Sequence, residues 1–173
     1  MTMPTGGKRD RFIVEAFHRA LSDHLEALGW MDLDDAHSPI VIVDGFPDDP
    51  GSVAPNTLAI SMGDLDVFPS ELGHHAGDFD MVIFCDFYGE TDAISRQITG
   101  DILEWCMAVE YLPVRDYEDP EEPVLFQVEV LDDANAREPA VNQSFEKHWR
   151  TVSVSLVDYR PFLTPGESPG ESP

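Results

Sequence analysis

The sequence predicts an α/β (α+β) fold, in which a small, mixed and mainly antiparallel sheet of about five strands packs against two helices. Two segments carry apolar residues at the spacing of an amphipathic helix, one near the start and one in the middle of the chain. Short apolar or alternating runs typical of strands surround the second of them. The chain has 173 residues, 42% of them hydrophobic, which is enough to bury the core of one domain.

We expect one α+β domain over residues 9–163, preceded by a flexible N-terminus at residues 1–8. Residues 164–173 are predicted to form a disordered tail, because they repeat Pro-Gly-Glu-Ser and contain no apolar residue.

The first helix is predicted over residues 9–28, where apolar side chains follow the helical repeat and charged residues occupy the other face. Gly29 follows and is a typical helix terminator. The apolar positions are Phe12, Ile13, Ala16, Phe17, Ala20, Leu21, Leu25 and Leu28.

Three strands are predicted next. Residues 40–43 form a short apolar strand, and a turn-rich connection containing three prolines leads to a second strand at residues 57–62. We interpret residues 63–77 as a long surface loop because they lack a sustained period. Residues 80–88 contain a nearly continuous apolar run, which is typical of a central strand covered on both faces.

The second helix is predicted over residues 92–109, with Thr91 or Glu90 as its cap. Its inward face contains Ile94, Ile98, Ile102, Trp105 and Val109. Residues 124–131 and 149–159 then alternate between apolar and polar side chains, which predicts a long antiparallel hairpin. The polar segment between them, about residues 132–147, is predicted to be its extended arm.

The charge balance argues against adhesion to nucleic acid. The chain has 34 acidic and 10 basic residues, giving a formal net charge of -24. Such a surface repels phosphate groups. Lysine is scarce, with only Lys8 and Lys147. This bias is typical of both a salt-tolerant archaeal proteome and a GC-rich genome, and the sequence favours neither.

Salt is expected to stabilise the protein. Repulsion among the acidic residues opposes compaction, and the screening length falls from about 10 Å at 0.1 M salt to about 3 Å at 1 M. The midpoint of thermal unfolding, followed by circular dichroism, should therefore rise with NaCl concentration. A midpoint that falls over the same range would contradict this prediction.

No motif predicts a catalytic, cofactor or metal site. Cys85 and Cys106 lie in apolar elements without metal-ligand spacing, which indicates buried thiols. The adjacent histidines at 74 and 75, and those at 18, 24 and 37, lack HExxH or carboxylate spacing. Acidic clusters lack an EF-hand pattern. We therefore expect no cofactor and no metal, with Cys85 as the residue to test if the protein is an enzyme.

Membrane association is also not predicted. No apolar stretch approaches the roughly 20 residues that span a bilayer, and the N-terminus lacks a signal-peptide core. We expect synthesis in the cytoplasm.

The order of elements resembles the tail terminator (tail completion) proteins of long-tailed phages and archaeal tailed viruses. These proteins are similar in size and combine an N-terminal helix, a sheet interrupted by a second helix, and a closing antiparallel strand pair. The corresponding segments are residues 9–28, 40–43, 57–62, 80–88, 92–109, 124–131 and 149–159. The arm at residues 132–147 and the C-terminal tail depart from the minimal pattern of that family.

The resemblance implies a structural virion protein of the neck or tail and not an enzyme. It implies a homo-oligomeric ring, most often a hexamer, that terminates the tail tube and joins it to the head-side connector or stopper protein. An acidic channel would let DNA pass without specific binding.

If the chain forms such a ring, its functionally important residues lie at the interfaces between subunits and with the partner proteins. Aromatic and arginine side chains often anchor interfaces, and Phe87 is equally well explained by core packing. Acidic residues of the arm would face the channel or a basic partner. The predicted interface residues are Phe87, Tyr88, Trp149, Arg150, Phe162 and Leu163, and the acidic ones are Asp132, Asp133 and Glu138.

Three alternatives remain open at this stage. The first is a head-to-tail connector or stopper protein of the neck, which would use a similar ring. The second is a small metal-dependent or cysteine-dependent hydrolase. The third is a free-standing acidic adaptor of a halophilic host.

Overall fold

Two helices and seven strands make up the fold of the described chain. The computed structural model describes residues 6–32, 37–69, 77–138 and 148–158. The elements in order are α1 (Gly6–Ala27), β1 (Val41–Asp44), a 3-10 turn (Pro50–Ser52), β2 (Thr57–Pro69), β3 (Gly77–Gly89), α2 (Asp92–Ala108), β4 (Tyr111–Arg115), β5 (Val124–Val130), β6 (Asn135–Arg137) and β7 (His148–Asp158). The predicted α+β class is confirmed.

All seven strands belong to one sheet with the order β1-β2-β3-β7-β5-β4, and β6 pairs with β7 beside β5. Only β1 and β2 run parallel, and the other pairs are antiparallel. The β3–β7 pair extends from Phe79 opposite Asp158 to Gly89 opposite His148. This pair forms the centre of the sheet.

The long hairpin of the structure consists of β2 and β3. The prediction of a surface loop at residues 63–77 is wrong for the described residues of that segment, which belong to these two strands. The two strands pair as far as Pro69 opposite Gly77, with an irregularity between Met62 and Leu65. Polar residues interrupt the apolar run in this segment. Sequence periodicity is a weak signal for such a strand, because it reports burial rather than pairing.

The predicted pairing of residues 124–131 with 149–159 is confirmed in direction but is short. β5 meets β7 only at Glu129 and Val130, and β6 then continues along β7. At the break, the Asp133 carboxylate accepts hydrogen bonds from the Ser155 amide at 3.0 Å and the Ser155 hydroxyl at 2.6 Å. The first part of the predicted arm is therefore sheet, and residues 139–147 lie outside the described residues.

The C-terminal end of α1 and the N-terminal end of α2 both follow the predicted signals. Gly29 has a φ of 82°, and the next amide, that of Trp30, donates to the Leu25 carbonyl at 3.0 Å. The Thr91 hydroxyl caps α2 by accepting from the Ile94 amide at 3.2 Å.

The main core lies between the helices and one face of the sheet. Phe17 of α1 and Trp105 of α2 meet edge to face with ring centroids 5.3 Å apart. Of the predicted helix positions, Ala20, Ile94 and Val109 are only partly buried and Leu28 is exposed. The buried helix residues of this core are Phe12, Ile13, Ala16, Phe17, Leu21, Leu25, Ile98, Ile102, Trp105 and Cys106.

β4 was not predicted from the sequence. Its side chains alternate between exposed and buried, with Leu112 and Val114 in the core. Pro113 interrupts the short apolar pattern, and proline within sheets is confined to edges and strand starts. Among the strands that the structure describes, β4 is indeed the last on its side of the sheet.

Candidate functional site

The two faces of the sheet differ in what covers them. On β3, the side chains of Met81, Ile83, Cys85 and Phe87 enter the main core together with those of the helices. Successive side chains of a strand point to opposite faces, so the residues between them belong to the other face. We call this second side the open face.

Asp86 lies at the centre of the open face. The residue is 4% exposed. Its Oδ1 atom accepts hydrogen bonds from the Trp149 indole Nε1 at 2.9 Å and from the Thr151 hydroxyl at 2.5 Å. Both donors are neutral, and Asp86 forms no ion pair with any residue that the structure describes. Buried carboxylates are usually paired with a cation, so this one is unusual.

Aromatic side chains lie beside this carboxylate. Trp149 stacks on Tyr88 with centroids 5.4 Å apart and planes inclined by 27°. The Phe46 ring also lies near Trp149, with centroids 6.0 Å apart and planes inclined by 49°. Tyr88 and Trp149 are buried with Ala59 in a small second core, whereas Phe46 is 51% exposed.

A cavity of about 550 Å³ opens over these groups. We call it the open-face cavity. Its formal charges are those of Asp86 and Glu138 against Arg137. Its volume lies in the range of about 300–1,000 Å³ that is usual for small-ligand sites. The lining residues are Phe46, Ser61, Phe84, Asp86, Arg137, Glu138, Trp149 and Thr151.

The Tyr88 hydroxyl is buried near this site and has no hydrogen-bond partner among the described residues. Burial raises the pKa of Tyr88 well above its usual value, and the negative charge of Asp86 raises it further. The phenol therefore stays neutral. An unpaired buried hydroxyl costs about 1–3 kcal/mol.

Phe87 and Tyr88, predicted as interface residues, are 0% and 1% exposed. The Phe87 side chain is part of the main core, which corresponds to the alternative left open for it. The Tyr88 ring belongs to the second core. Neither side chain is available to a neighbouring subunit in this conformation, because its own chain covers it.

The other predicted residues are scattered. Trp149 is buried beside Tyr88, and Arg150 pairs with Asp92 at 3.1 Å on the helix side. Asp132 and Asp133 are exposed, and Glu138 reaches both the open-face cavity and, at 3.9 Å, Arg150. The predictions for Phe162 and Leu163 lie outside the described residues.

Three of the described histidines lie on helix α1 or in a loop, and the fourth, His148, begins β7. His18 pairs with Asp44 at 2.7 Å, His24 stacks on Trp105, and His37 lies against Trp30. His74 and His75 lie outside the described residues. Among residues 6–32, 37–69, 77–138 and 148–158, no group of three His, Cys, Asp or Glu side chains could hold a metal. In the same ranges, no helix is long and apolar enough to cross a membrane.

Both cysteines are free and buried. Burial, with smaller contributions from Cys106 and Asp86, raises the pKa of the Cys85 thiol. Burial likewise raises the pKa of Cys106 to about 12. A raised pKa keeps each thiol neutral, whereas nucleophilic attack requires the thiolate.

We therefore expect neither thiol of the native protein to react with iodoacetamide at about pH 8, and both to react in guanidinium chloride. Mass spectrometry counts the alkylated sites. Rapid labelling of Cys85 in the folded protein would contradict its burial and revive the cysteine-dependent alternative.

Sequence reasoning missed the open-face cavity. Asp86 was included in the predicted strand at residues 80–88 without a role of its own. A single carboxylate inside an apolar strand is, however, itself a signal of a functional site. Phe46 lay in a segment interpreted only as a connection. Nothing in the local pattern places residue 46 beside residue 149, because they come together through the pairing of β1 with β2, β2 with β3 and β3 with β7.

No protein-family model matches the chain, and a search of curated proteins finds none with significant similarity.

Proposed function

We propose that the chain is a structural protein of a virion neck or tail, which assembles into a ring, sixfold in its commonest form, that terminates the tail tube. The ring would join the tube to the head-side connector. The observation that carries this proposal is a long strand edge, formed by β1 and by the part of β2 beyond it, with which no strand of the described residues pairs.

The first part of this edge is the outer side of β1. The Val41 and Gly45 amides donate to the carbonyls of Asn56 and Ile60 at 3.0 and 2.7 Å. Because backbone groups alternate along a strand, the peptide groups of Ile42 and Asp44 face away from β2. β1 ends the sheet on this side among the described residues.

The second part is the outer side of β2. β1 covers β2 only from Thr57 to Ile60, while β2 continues to Pro69. The uncovered stretch of β2 is roughly 30 Å long at about 3.4 Å per residue. Within the described chain no strand pairs with it. Exposed edges of this length are templates for pairing with another chain.

The opposite edge of the sheet is a poorer template for strand pairing with another chain. The edge strand there is β4, in which Pro113 lacks an amide hydrogen. A ring therefore requires a heterologous contact, in which the β1–β2 edge of one subunit meets a surface of its neighbour other than that same edge. Heterologous contacts close into rings when the rotation between subunits permits.

The net charge of -24 agrees with a ring around a DNA path. Affinity for DNA comes largely from cations that neutralise phosphates. A lumen rich in carboxylates makes no such contacts, so DNA would pass without adhering.

The test is the solution mass of the chain by light scattering, alone and with tail-tube protein, at low and high salt. We expect a ring-sized species, formed by the chain alone or in the presence of tube protein. Val43→Lys places a charge on the exposed side of β1 and should prevent ring formation. Val124→Lys, a matched change at an exposed position of β5, should not.

Two outcomes would count against the proposal. A monomer under every condition, indifferent to tube protein, would contradict the ring. A ring that binds a portal-side protein but not tube protein would assign the chain to the head-to-tail connector alternative instead.

A further inference from the structure

We propose that the open-face cavity binds a cationic side chain, arginine or lysine, presented by a partner protein. This inference does not depend on the ring or on the virion role. It rests on a buried carboxylate that has no counterion among the described residues and lies at the base of an aromatic cavity.

Asp86 provides the charge. Its Oδ1 atom uses two neutral donors, and no described residue donates to Oδ2. An isolated buried carboxylate is costly, and a cation that reaches it recovers electrostatic energy in a poorly solvated environment. The negative charge of Asp86 also acts on Tyr88, where it contributes to the raised pKa of the phenol.

The aromatic groups provide the rest of the site. The half-exposed Phe46 ring lies with its centroid 6.0 Å from that of Trp149 and its plane inclined by 49° to it, and Phe84 also lines the cavity. A guanidinium or ammonium group over an aromatic face is attracted by the ring quadrupole, most strongly by tryptophan. Guanidinium is favoured over ammonium because it is planar and more weakly hydrated.

Among the described residues that line the cavity, Arg137 is the one that opposes a cationic occupant. It lies on β6 opposite Thr151, is exposed, and forms no ion pair with a described residue. Glu138 at the rim already lies 3.9 Å from Arg150, so the Arg137 charge weakens the negative potential of the cavity without pairing with Asp86. Removing the Arg137 charge should therefore strengthen binding, whereas an Arg137 that served as the counterion of Asp86 would give no such gain.

The binding experiment uses the full chain and N-acetyl-arginine methylamide as the probe. The corresponding citrulline derivative is its neutral isostere. The reporter is the indole N–H resonance of Trp149, which is bonded to Asp86 and is assigned by its loss in Trp149→Phe. We expect a saturable shift with the arginine probe in the millimolar range and none with citrulline. The lysine derivative should bind more weakly.

Three variants complete the experiment. Asp86→Asn retains an oxygen that accepts both hydrogen bonds, so the fold should persist while affinity falls at least tenfold. Glu104→Gln removes the same unit of charge from an exposed position on α2 and should leave affinity unchanged. Arg137→Gln should tighten binding several-fold.

Equal shifts with the arginine and citrulline probes would overturn the proposal, because the wild-type protein would then recognise shape without charge. Unchanged affinity in Asp86→Asn would also overturn it. Weaker binding in Arg137→Gln would likewise overturn it, because removing a like charge should strengthen the attraction of a cation to Asp86.

Discussion

Replacing Phe87 with alanine should lower the free energy of unfolding by about 3–5 kcal/mol, as for other fully buried phenylalanines. The Phe87 side chain is 0% exposed and packs in the core between the sheet and the helices. The loss should appear in denaturant unfolding of the monomer and be independent of protein concentration. Concentration independence is the decisive feature, because an interface residue would affect association instead.

Phe46→Ala is the matched control for Phe87→Ala. It deletes the same side chain from the open face, where the ring is 51% exposed, and should cost less than about 1 kcal/mol. If Phe87→Ala left monomer stability unchanged but weakened self-association, the interface interpretation would be correct and the core assignment wrong.

The elements with a strong period could be predicted from the sequence. α1 and α2 have apolar stripes and clear caps at Gly29 and Thr91, and both are present within a few residues of the predicted bounds. The central strand was also predicted, because its apolar run reflects burial. The outer part of the β2–β3 hairpin and the proline-containing β4 were not, since their pairing leaves little trace in the apolar pattern.

The open-face cavity illustrates the other limit of sequence reasoning. Asp86, Trp149 and Thr151 meet because β3 and β7 pair in one particular register, with Thr151 opposite Asp86 and Trp149 opposite Tyr88. A register shifted by one residue would move these side chains to the other face. Local periodicity identifies the two strands but does not set their register, so the partners of Asp86 were not predictable.

Gly89→Ala is expected to destabilise the fold by about 2–3 kcal/mol through overpacking and a lost hydrogen bond. A Cβ atom at residue 89 would overlap the Ser95 Oγ and lie 2.9 Å from the Phe87 Cε1. Ser95 is fully buried, and its hydroxyl donates to the His148 carbonyl at 2.7 Å. Any movement that accommodates the new methyl group therefore disturbs the contact between α2 and β7. Thermal and denaturant unfolding measure the effect.

Gly100→Ala provides the control, because it makes the same change where a Cβ atom would meet nothing within 4 Å. Gly100 lies inside α2, so alanine should raise stability by about 0.5–1 kcal/mol through its higher helix propensity. The two substitutions should thus have opposite signs in one protein. A Gly89→Ala variant as stable as the wild type would show that the end of β3 and the start of α2 are not packed closely. The β3–β7 register, which places Asp86 opposite Thr151, would then need revision.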